Sequence, residues 1–168
     1  MKRLNKSLNK SIFITGALLA GALFAQATAF AQGGTSVNAQ QNGIVGLWDV
    51  QVTLATCDTG VVVGGFSSLH KFELGGTGQV VPATNPAALS AHMLIWEHLG
   101  GDDYHWFVKF FRFTNGVATA YNVIEGLVSI GEDGTVYTGS GVASFYDMDG
   151  NLMGASCPSF EGSRFIGN

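Results

Sequence analysis

Residues 46–54 constrain the fold of this chain more than any other stretch. Within them, Trp48, Val50, Val52 and Leu54 alternate with mostly polar side chains. Successive side chains of a β-strand point to opposite faces, so this alternation predicts a strand with one face on a core and the other in water. Gly46 opens the strand and leaves space beside Trp48 where the chain enters the core.

The first 31 residues have the pattern of a secretory signal peptide. A basic segment precedes an almost unbroken apolar run over residues 12–24, and small residues follow at Ala29 and Ala31. The run is too short to cross a hydrocarbon layer of roughly 30 Å comfortably. No cysteine lies at this point, which argues against a lipid anchor. We therefore predict a signal peptide over residues 1–31 that is cleaved before Gln32.

Removal of the signal peptide makes the chain strongly acidic. Four of the eight basic residues leave with it and all twelve acidic residues stay, so the net charge becomes 4 − 12 = −8. Such a surface repels nucleic acid and anionic lipid. We expect no nucleic-acid partner and no stable membrane insertion of the mature chain, which would be secreted or periplasmic. The oligomeric state is left open.

The mature chain reads as a series of strands with almost no helix. Glycine-rich turns recur about every 10 to 14 residues, and Asn115-Gly116 is the strongest hairpin signal. This spacing predicts an all-β fold of about eight or nine strands, either an up-and-down antiparallel barrel or a sandwich. A barrel is favoured because closure removes exposed strand edges. We assign residues 32–43 as a flexible lead and residues 44–168 as the β-barrel domain.

Cys57 and Cys157 are the only cysteines of the chain. In an exported protein, two cysteines without a CxxC motif predict a disulfide. The alternative is a free, reactive thiol.

The Asn115-Gly116 turn predicts which side chains face the barrel interior. If Thr114 pairs with Val117, one face carries Phe107, Lys109 and Phe111 opposite small residues. A two-residue turn at residues 133–134 extends this face to Tyr137 and Gly141 and adds further small residues. We interpret this face as a cavity wall, with Trp106 on the opposite, outward face.

The predicted ligand-binding residues share this inward parity or the inward parity of the second strand. They are Phe66, His70, Phe72, Phe107, Lys109, Phe111, Tyr137 and Gly141. A buried lysine is costly without a counter-charge, so Lys109 could meet a ligand carboxylate or carbonyl. Two alternatives are that a β-bulge puts Lys109 outside, or that Glu97 or Glu125 reaches it.

Histidines and acids are frequent between residues 92 and 105, but their spacing matches no zinc pattern. We therefore predict no metal site and no cofactor. The chain also lacks a Gly-x-Ser-x-Gly motif and a phosphate-binding loop. Paired carboxylates of the glycosidase type stay open, because pairing across strands is invisible in a sequence.

Gly46, Trp48 and the late Arg164, in an all-β meander, resemble the motif of the lipocalins and related calycin barrels. In lipocalins the tryptophan closes the floor of an eight-stranded barrel, and an arginine from the end of the chain packs across it. The resemblance therefore implies a calycin-like barrel and a structural role for Trp48 and Arg164, with the guanidinium over the aromatic ring.

Three functions are compatible with this pattern. The first is an exported barrel that binds a small apolar or amphipathic molecule in its interior. The second is a small barrel cyclase or isomerase resembling the allene-oxide-cyclase and dirigent barrels, which enclose a reactive intermediate. The third is a structural envelope protein with a filled core. A ligand-sized cavity argues against the third, and an ionisable group with a strongly shifted pKa in that cavity favours the enzyme.

The signal-peptide assignment has a direct test. Amino-terminal sequencing of the exported protein is expected to begin at or near Gln32, because the small residues before it fit the signal peptidase pocket. A mature protein that still begins at residue 1 would contradict cleavage.

Overall fold

A computed structural model describes residues 43–166, which form a closed barrel of eight antiparallel strands in up-and-down order. The predicted all-β, up-and-down barrel is confirmed. The predicted signal peptide and residues 32–42 of the predicted lead lie outside the described residues. The strands are β1 Gly46–Ala55, β2 Val62–Glu73, β3 Thr77–Pro82, β4 His92–Gly100, β5 Asp103–Thr114, β6 Val117–Ile130, β7 Val136–Asp147 and β8 Leu152–Arg164. Between residues 43 and 166, no helix has the length and apolarity needed to cross a membrane.

The last strand contains a proline. β8 continues from Leu152 through Pro158 to Arg164. Proline cannot donate to a ladder, and here the β7–β8 ladder is interrupted: Ser140 pairs with Ser159, and the next pair is Ala143 with Ser156. Pro158 stays paired with Leu54 in the β1–β8 ladder, and the gap in pairing lies on the β7 side of the strand.

The core is the barrel interior, and it follows the alternation seen first in β1. Trp48, Val50 and Val52 are buried, whereas Asp49 and Gln51 between them are exposed. The other strands contribute one buried face each, with Phe72, Val80, Leu94, Trp106, Val108, Phe110, Val128, Tyr137 and Phe160 among the buried side chains. Fifteen buried side chains thus form a single continuous core.

One end of the barrel is closed by Trp48, which is fully buried. Its indole N–H donates to the carbonyl oxygen of Ile44 at 2.8 Å, and the Tyr137 ring packs edge-on at 5.0 Å between centroids. The Arg164 guanidinium lies 4.3 Å from the Trp48 ring centroid, a cation–π contact. Gly46 has a φ of +138°, and a Cβ there would lie 2.7 Å from Arg164 Nη1.

Arg164 also joins separate segments at this closed end. Its Nε donates to the carbonyl of Gly134 at 2.8 Å, and Nη1 and Nη2 donate to the carbonyls of Val45 and Gly43 at 2.9 and 2.6 Å. Hydrogen bonds from a charged donor are stronger than neutral ones. One side chain therefore fixes the β6–β7 turn and the segment before β1 against the end of β8.

The predicted disulfide is present. Cys57 and Cys157 are bonded, with their Cα atoms 5.0 Å apart and a sequence separation of 100. Cys157 pairs with Ala55 in the β1–β8 ladder, so the bond anchors the segment after β1 to β8. A loop of this length corresponds to as much as about 4.7 kcal/mol in the chain-entropy model of disulfide stabilisation.

The predicted orientation of β5 is wrong, because a β-bulge interrupts the β5–β6 hairpin. The turn forms as predicted, with Thr114 paired to Val117, and Phe113 pairs with Ala118. Arg112 then pairs with Ala120, so Thr119 is an extra residue on β6. A slip of one residue turns every following side chain of one strand to the other face.

The packing of the closed end predicts a large loss of stability for Trp48→Ala. We expect the free energy of unfolding to fall by about 3–5 kcal/mol, the usual range for deleting a large buried aromatic. Denaturant unfolding of the mature protein measures this. Asp49→Ala, on the outer face of the same strand, is the matched control and should stay within about 0.5 kcal/mol of the parent. Equal stability of the two variants would contradict the closed-end packing.

Candidate functional site

A cavity of about 160 Å³ occupies the barrel interior away from Trp48 and reaches the surface at the other end of the barrel. We call this second end the mouth. The lining is mainly apolar and comes from all eight strands and the β3–β4 loop. It comprises Val52, Leu54, Phe66, His70, Val80, Pro82, Thr84, Leu89, His92, Trp106, Val108, Phe110, Arg112, Asn122, Ile124, Ala143, Phe145, Ser156, Pro158 and Phe160.

Small residues on β7 and β8 leave this space open. Ala143 pairs with Ile124 on β6 and with Ser156 on β8, and all three line the cavity. Gly126 cannot add to the space, because the Trp106 ring fills it: a Cβ at Gly126 would lie 2.9 Å from Trp106 Cε2. The empty region therefore lies between the Trp106 ring and the mouth.

Several polar atoms at the cavity are buried without a hydrogen-bond partner. Among the described residues, these are both ring nitrogens of His92, Asn122 Oδ1, Trp106 Nε1 and Ser156 Oγ. His92 is 5% exposed and Asn122 is 3% exposed. Buried polar groups are nearly always hydrogen-bonded, and an unsatisfied one costs about 1–3 kcal/mol. An apolar cavity bordered by such groups has the character of a binding site.

His92 and Asn122 are held on either side of Phe110. His92 begins β4 and stacks on the Phe110 ring at 3.7 Å between centroids, and Phe110 pairs with Asn122 across the β5–β6 ladder. Burial lowers the pKa of His92 from 6.5 to about 4, because the charged form loses its hydration. At neutral pH the ring is therefore uncharged and offers one N–H donor and one acceptor nitrogen.

A second buried histidine, His70, lies in the same cavity wall. Tyr137 Oη and His70 Nδ1 are 2.6 Å apart. Burial, and secondarily the nearby His92, lowers the pKa of His70 from 6.5 to about 3, and burial raises the pKa of Tyr137. Both groups are neutral at pH 7. We assign the tyrosine hydroxyl as donor and Nδ1 as acceptor, which places the single N–H proton of the neutral imidazole on Nε2.

Of the ligand residues predicted from the sequence, some face the barrel interior and others lie on its outer surface. Phe66 and His70 line the cavity. Phe72 and Tyr137 are buried in the core outside the lining. Gly141 faces the interior beside Gly126, but a Cβ there would overlap the carbonyl oxygen of Glu125, so this glycine serves the close approach of β6 and β7. Their ligand-binding role stays a prediction.

The other predicted residues lie on the outer surface, because of the β5 bulge. Lys109 is exposed, with its ammonium 4.5 Å from the centroid of the Tyr121 ring. Phe111 is 39% exposed, and Phe107 packs against His105 at 4.4 Å between ring centroids. The alternative in which a bulge turns Lys109 outward is the one that the structure bears out.

The sequence analysis missed the residues that replace them. Trp106, Val108, Phe110 and Arg112 carry the cavity face of β5, and Trp106 is 1% exposed rather than outward-facing. One signal could have found them. The polar side chains Asp103, His105 and Lys109 share the odd-numbered parity of the strand, which indicates the outer face.

The β3–β4 loop extends the wall at the mouth. Ser90 N–H donates to the carbonyl of Phe111 at 2.9 Å, and Phe113 N–H donates to the carbonyl of Ala88 at 2.8 Å. Leu89 forms an isolated bridge with Arg112 and packs partly against the core. Leu89 and Arg112 therefore line the mouth from neighbouring segments.

On the outer face, His105 contacts two acids, Glu97 at 3.2 Å and Glu125 at 2.9 Å. This cluster lies on the side of the barrel wall opposite to the cavity lining. Within residues 43–166, no group of three or more histidine, cysteine or acidic side chains could hold a metal ion.

Comparisons of the chain with protein-family models, with curated proteins and with solved structures found no match. The function proposed below rests on the geometry of the cavity.

Burial of neutral histidines predicts that stability falls in mild acid. A histidine with a lowered folded-state pKa stabilises the fold fully above its unfolded pKa of 6.5, and this contribution is lost as the pH falls toward about 4 for His92. We expect His92→Phe, which keeps the ring stack, to reduce the loss of unfolding free energy between pH 6 and pH 5 by about 1 kcal/mol. Urea unfolding at each pH measures the slope.

The matched control is His98→Gln. His98 is exposed and bonds the carbonyl oxygen of Gly101 at 2.8 Å, so its removal should leave the slope unchanged. Equal slopes for the parent and His92→Phe would show that His92 is not buried in its neutral form.

Proposed function

We propose that this protein is an exported, lipocalin-like barrel that binds a small, largely apolar molecule carrying at least one hydrogen-bonding group. The main support for this proposal is that His92, Asn122 and Trp106 have polar atoms without hydrogen-bond partners in an otherwise apolar cavity. Export is supported by the predicted signal peptide and by the Cys57–Cys157 disulfide, a bond typical of oxidising compartments.

The polar atoms define the chemistry of the ligand group. Asn122 Oδ1 accepts a hydrogen bond, Trp106 Nε1 donates one, and neutral His92 does one of each. A hydroxyl both donates and accepts, so it complements this set better than a carbonyl, which only accepts. A ligand that fills the cavity with apolar surface and supplies a hydroxyl would bury its own surface and satisfy groups that are otherwise unpaired.

The volume of the cavity limits the size of the buried part. An engineered apolar cavity of about 150 Å³ in another protein binds benzene, and the cavity here is about 160 Å³. One aromatic ring or an equivalent short branched chain fits this space. A larger ligand would extend through the mouth. The cavity also argues against the third function considered, a structural protein with a filled core.

A barrel cyclase or isomerase is the second candidate, and the observation that favours it is the pair of shifted histidines in one cavity. The direction of the shifts favours binding. An acid–base catalyst works best with a pKa near the working pH, whereas burial moves His70 to about 3 and His92 to about 4. Such weak bases act mainly as neutral hydrogen-bonding groups at pH 7.

Matched probes test the proposed function. Phenol and toluene have nearly the same shape, and phenol carries a hydroxyl where toluene carries a methyl group. Their binding to the mature protein can be followed by ligand-observed NMR. We expect phenol to bind more tightly than toluene. Ala143→Leu should abolish binding of both, because the side chain fills the cavity, at a stability cost of about 1–3 kcal/mol. Asn122→Leu should reduce the preference for phenol.

Val142→Leu is the control for Ala143→Leu, since Val142 is 45% exposed and faces outward on the same strand. It should leave binding unchanged. If neither probe binds the parent protein, or if Ala143→Leu binds both as well as Val142→Leu does, the cavity is not a ligand site. Native mass spectrometry of freshly exported protein then tests independently whether any molecule co-purifies.

A further inference from the structure

We infer that the ligand of this cavity is a carboxylate, with its apolar body inside the barrel and its anionic group on Arg112 at the mouth. This inference rests on the proposed function. It adds the charge of the ligand and the residue that binds the charged group.

The β-bulge brings Arg112 to this position. Phe110 lies inside the barrel, and Arg112 is two residues further along β5, so its side chain leaves the same face of the strand. It lines the mouth, and its guanidinium carbon lies 5.8 Å from the centroid of the Phe145 ring, another lining residue. The guanidinium is thus held over the wall of the cavity.

Among the basic side chains of the described residues, only Arg112 lines the cavity, and it has no salt-bridge partner. Residues 43–166 contain four basic side chains and twelve acidic ones. Lys71 forms a salt bridge with Glu73 at 2.6 Å, and Arg164 donates to three backbone carbonyls. Lys109 lies on the outer face over Tyr121. Within the described residues, Arg112 forms no salt bridge, and its guanidinium meets only an aromatic face.

The nearby acid at the mouth, Asp147, does not form an ion pair with the Arg112 guanidinium. Asp147 is paired with Ala120, the residue opposite Arg112. Its Oδ1 accepts from the backbone N–H groups of Asp149 and Asn151, and its Oδ2 accepts from the Asn151 side-chain amide. The turn after β7 therefore occupies this carboxylate, and the guanidinium fork stays available to a ligand.

The chemistry of the rim favours a monoanion. A guanidinium presents parallel N–H donors that match the two oxygens of a carboxylate. A cation beside an apolar, poorly hydrated opening attracts an anion more strongly than one in open water. The net charge of −8 over the described residues opposes a dianion such as a phosphate monoester.

The dimensions agree with one short molecule that places a ring beside Asn122 and an anionic group at Arg112. Arg112 is two residues from Phe110, which pairs with Asn122, and two residues of strand span roughly 6–7 Å. An aromatic ring with a carboxylate one carbon away covers about this distance. Phenylacetate is therefore a suitable probe, and phenylacetamide is its neutral counterpart of the same shape.

Isothermal titration calorimetry of the mature, disulfide-bonded protein tests the inference. We expect phenylacetate to bind about tenfold more tightly than phenylacetamide, with the difference shrinking as salt is raised. Arg112→Gln should weaken phenylacetate about tenfold and leave phenylacetamide unchanged. Lys109→Gln is the matched control: it removes the same charge from the same strand, on the opposite face, and should leave both probes unchanged. Arg112→Lys keeps the charge without the fork and should give intermediate affinity.

The outcomes separate the two proposals. If phenol and phenylacetamide bind but phenylacetate gains nothing, the carboxylate inference is wrong and the proposed function stands. If Lys109→Gln weakens phenylacetate as much as Arg112→Gln does, the preference comes from overall charge and not from Arg112. If no probe binds, the proposed function fails first. Arg112 is exposed, so its variants should fold, and circular dichroism checks this.

Discussion

The pairing of β1 with β8 is the constraint on which the rest of the structure depends, because it closes the sheet and fixes how much interior there is to fill. Eight strands leave an interior that side chains can just occupy. At the end where Trp48, Tyr137 and Phe72 point inward, they fill it completely. Toward the mouth the inward positions include Ala143 and Ser156, and space remains. The empty space therefore follows from the size of the inward side chains along a closed wall.

Much of the fold could be predicted from the sequence, because its determinants are local. Alternation located β1, turn residues located the hairpins, and the Asn115-Gly116 turn fixed the closing pair of β5 and β6. The faces of β6 and β7 followed correctly from those turns. The orientation of β5 could not be predicted from its turn, because the β-bulge at Thr119 depends on the curvature of the barrel wall. No residue type at this point of the sequence indicates a bulge. Because the bulge is not visible in the sequence, the pattern predicts Lys109 on the cavity face, where the structure places Arg112. The cavity depends on contacts between distant strands, so its polar atoms could not be located before the fold was known.

The interior combines two requirements that oppose each other. Burial of His92, Asn122 and Trp106 without partners lowers the stability of the empty protein, whereas the apolar side chains around them raise it. The Cys57–Cys157 disulfide stabilises the mouth end, and the Arg164 hydrogen bonds stabilise the closed end. Neither set of contacts involves a group inside the cavity. A fold can keep unsatisfied polar groups in its core when contacts elsewhere stabilise its shape, and this barrel has such contacts at both ends.

The bulge has a consequence for how this chain can change over evolutionary time. Substitutions in β5 alter one position of one surface, whereas an insertion or deletion of a single residue between Arg112 and Ala120 would exchange the two surfaces of the strand along its whole length. Loss of Thr119 would turn the row of Phe107, Lys109 and Phe111 inward and expel Trp106 and Phe110. Hairpin length in this segment therefore sets which residues of β5 line the cavity. When relatives of this protein are aligned, a gap in the hairpin would signal a different barrel interior even where every neighbouring residue is unchanged.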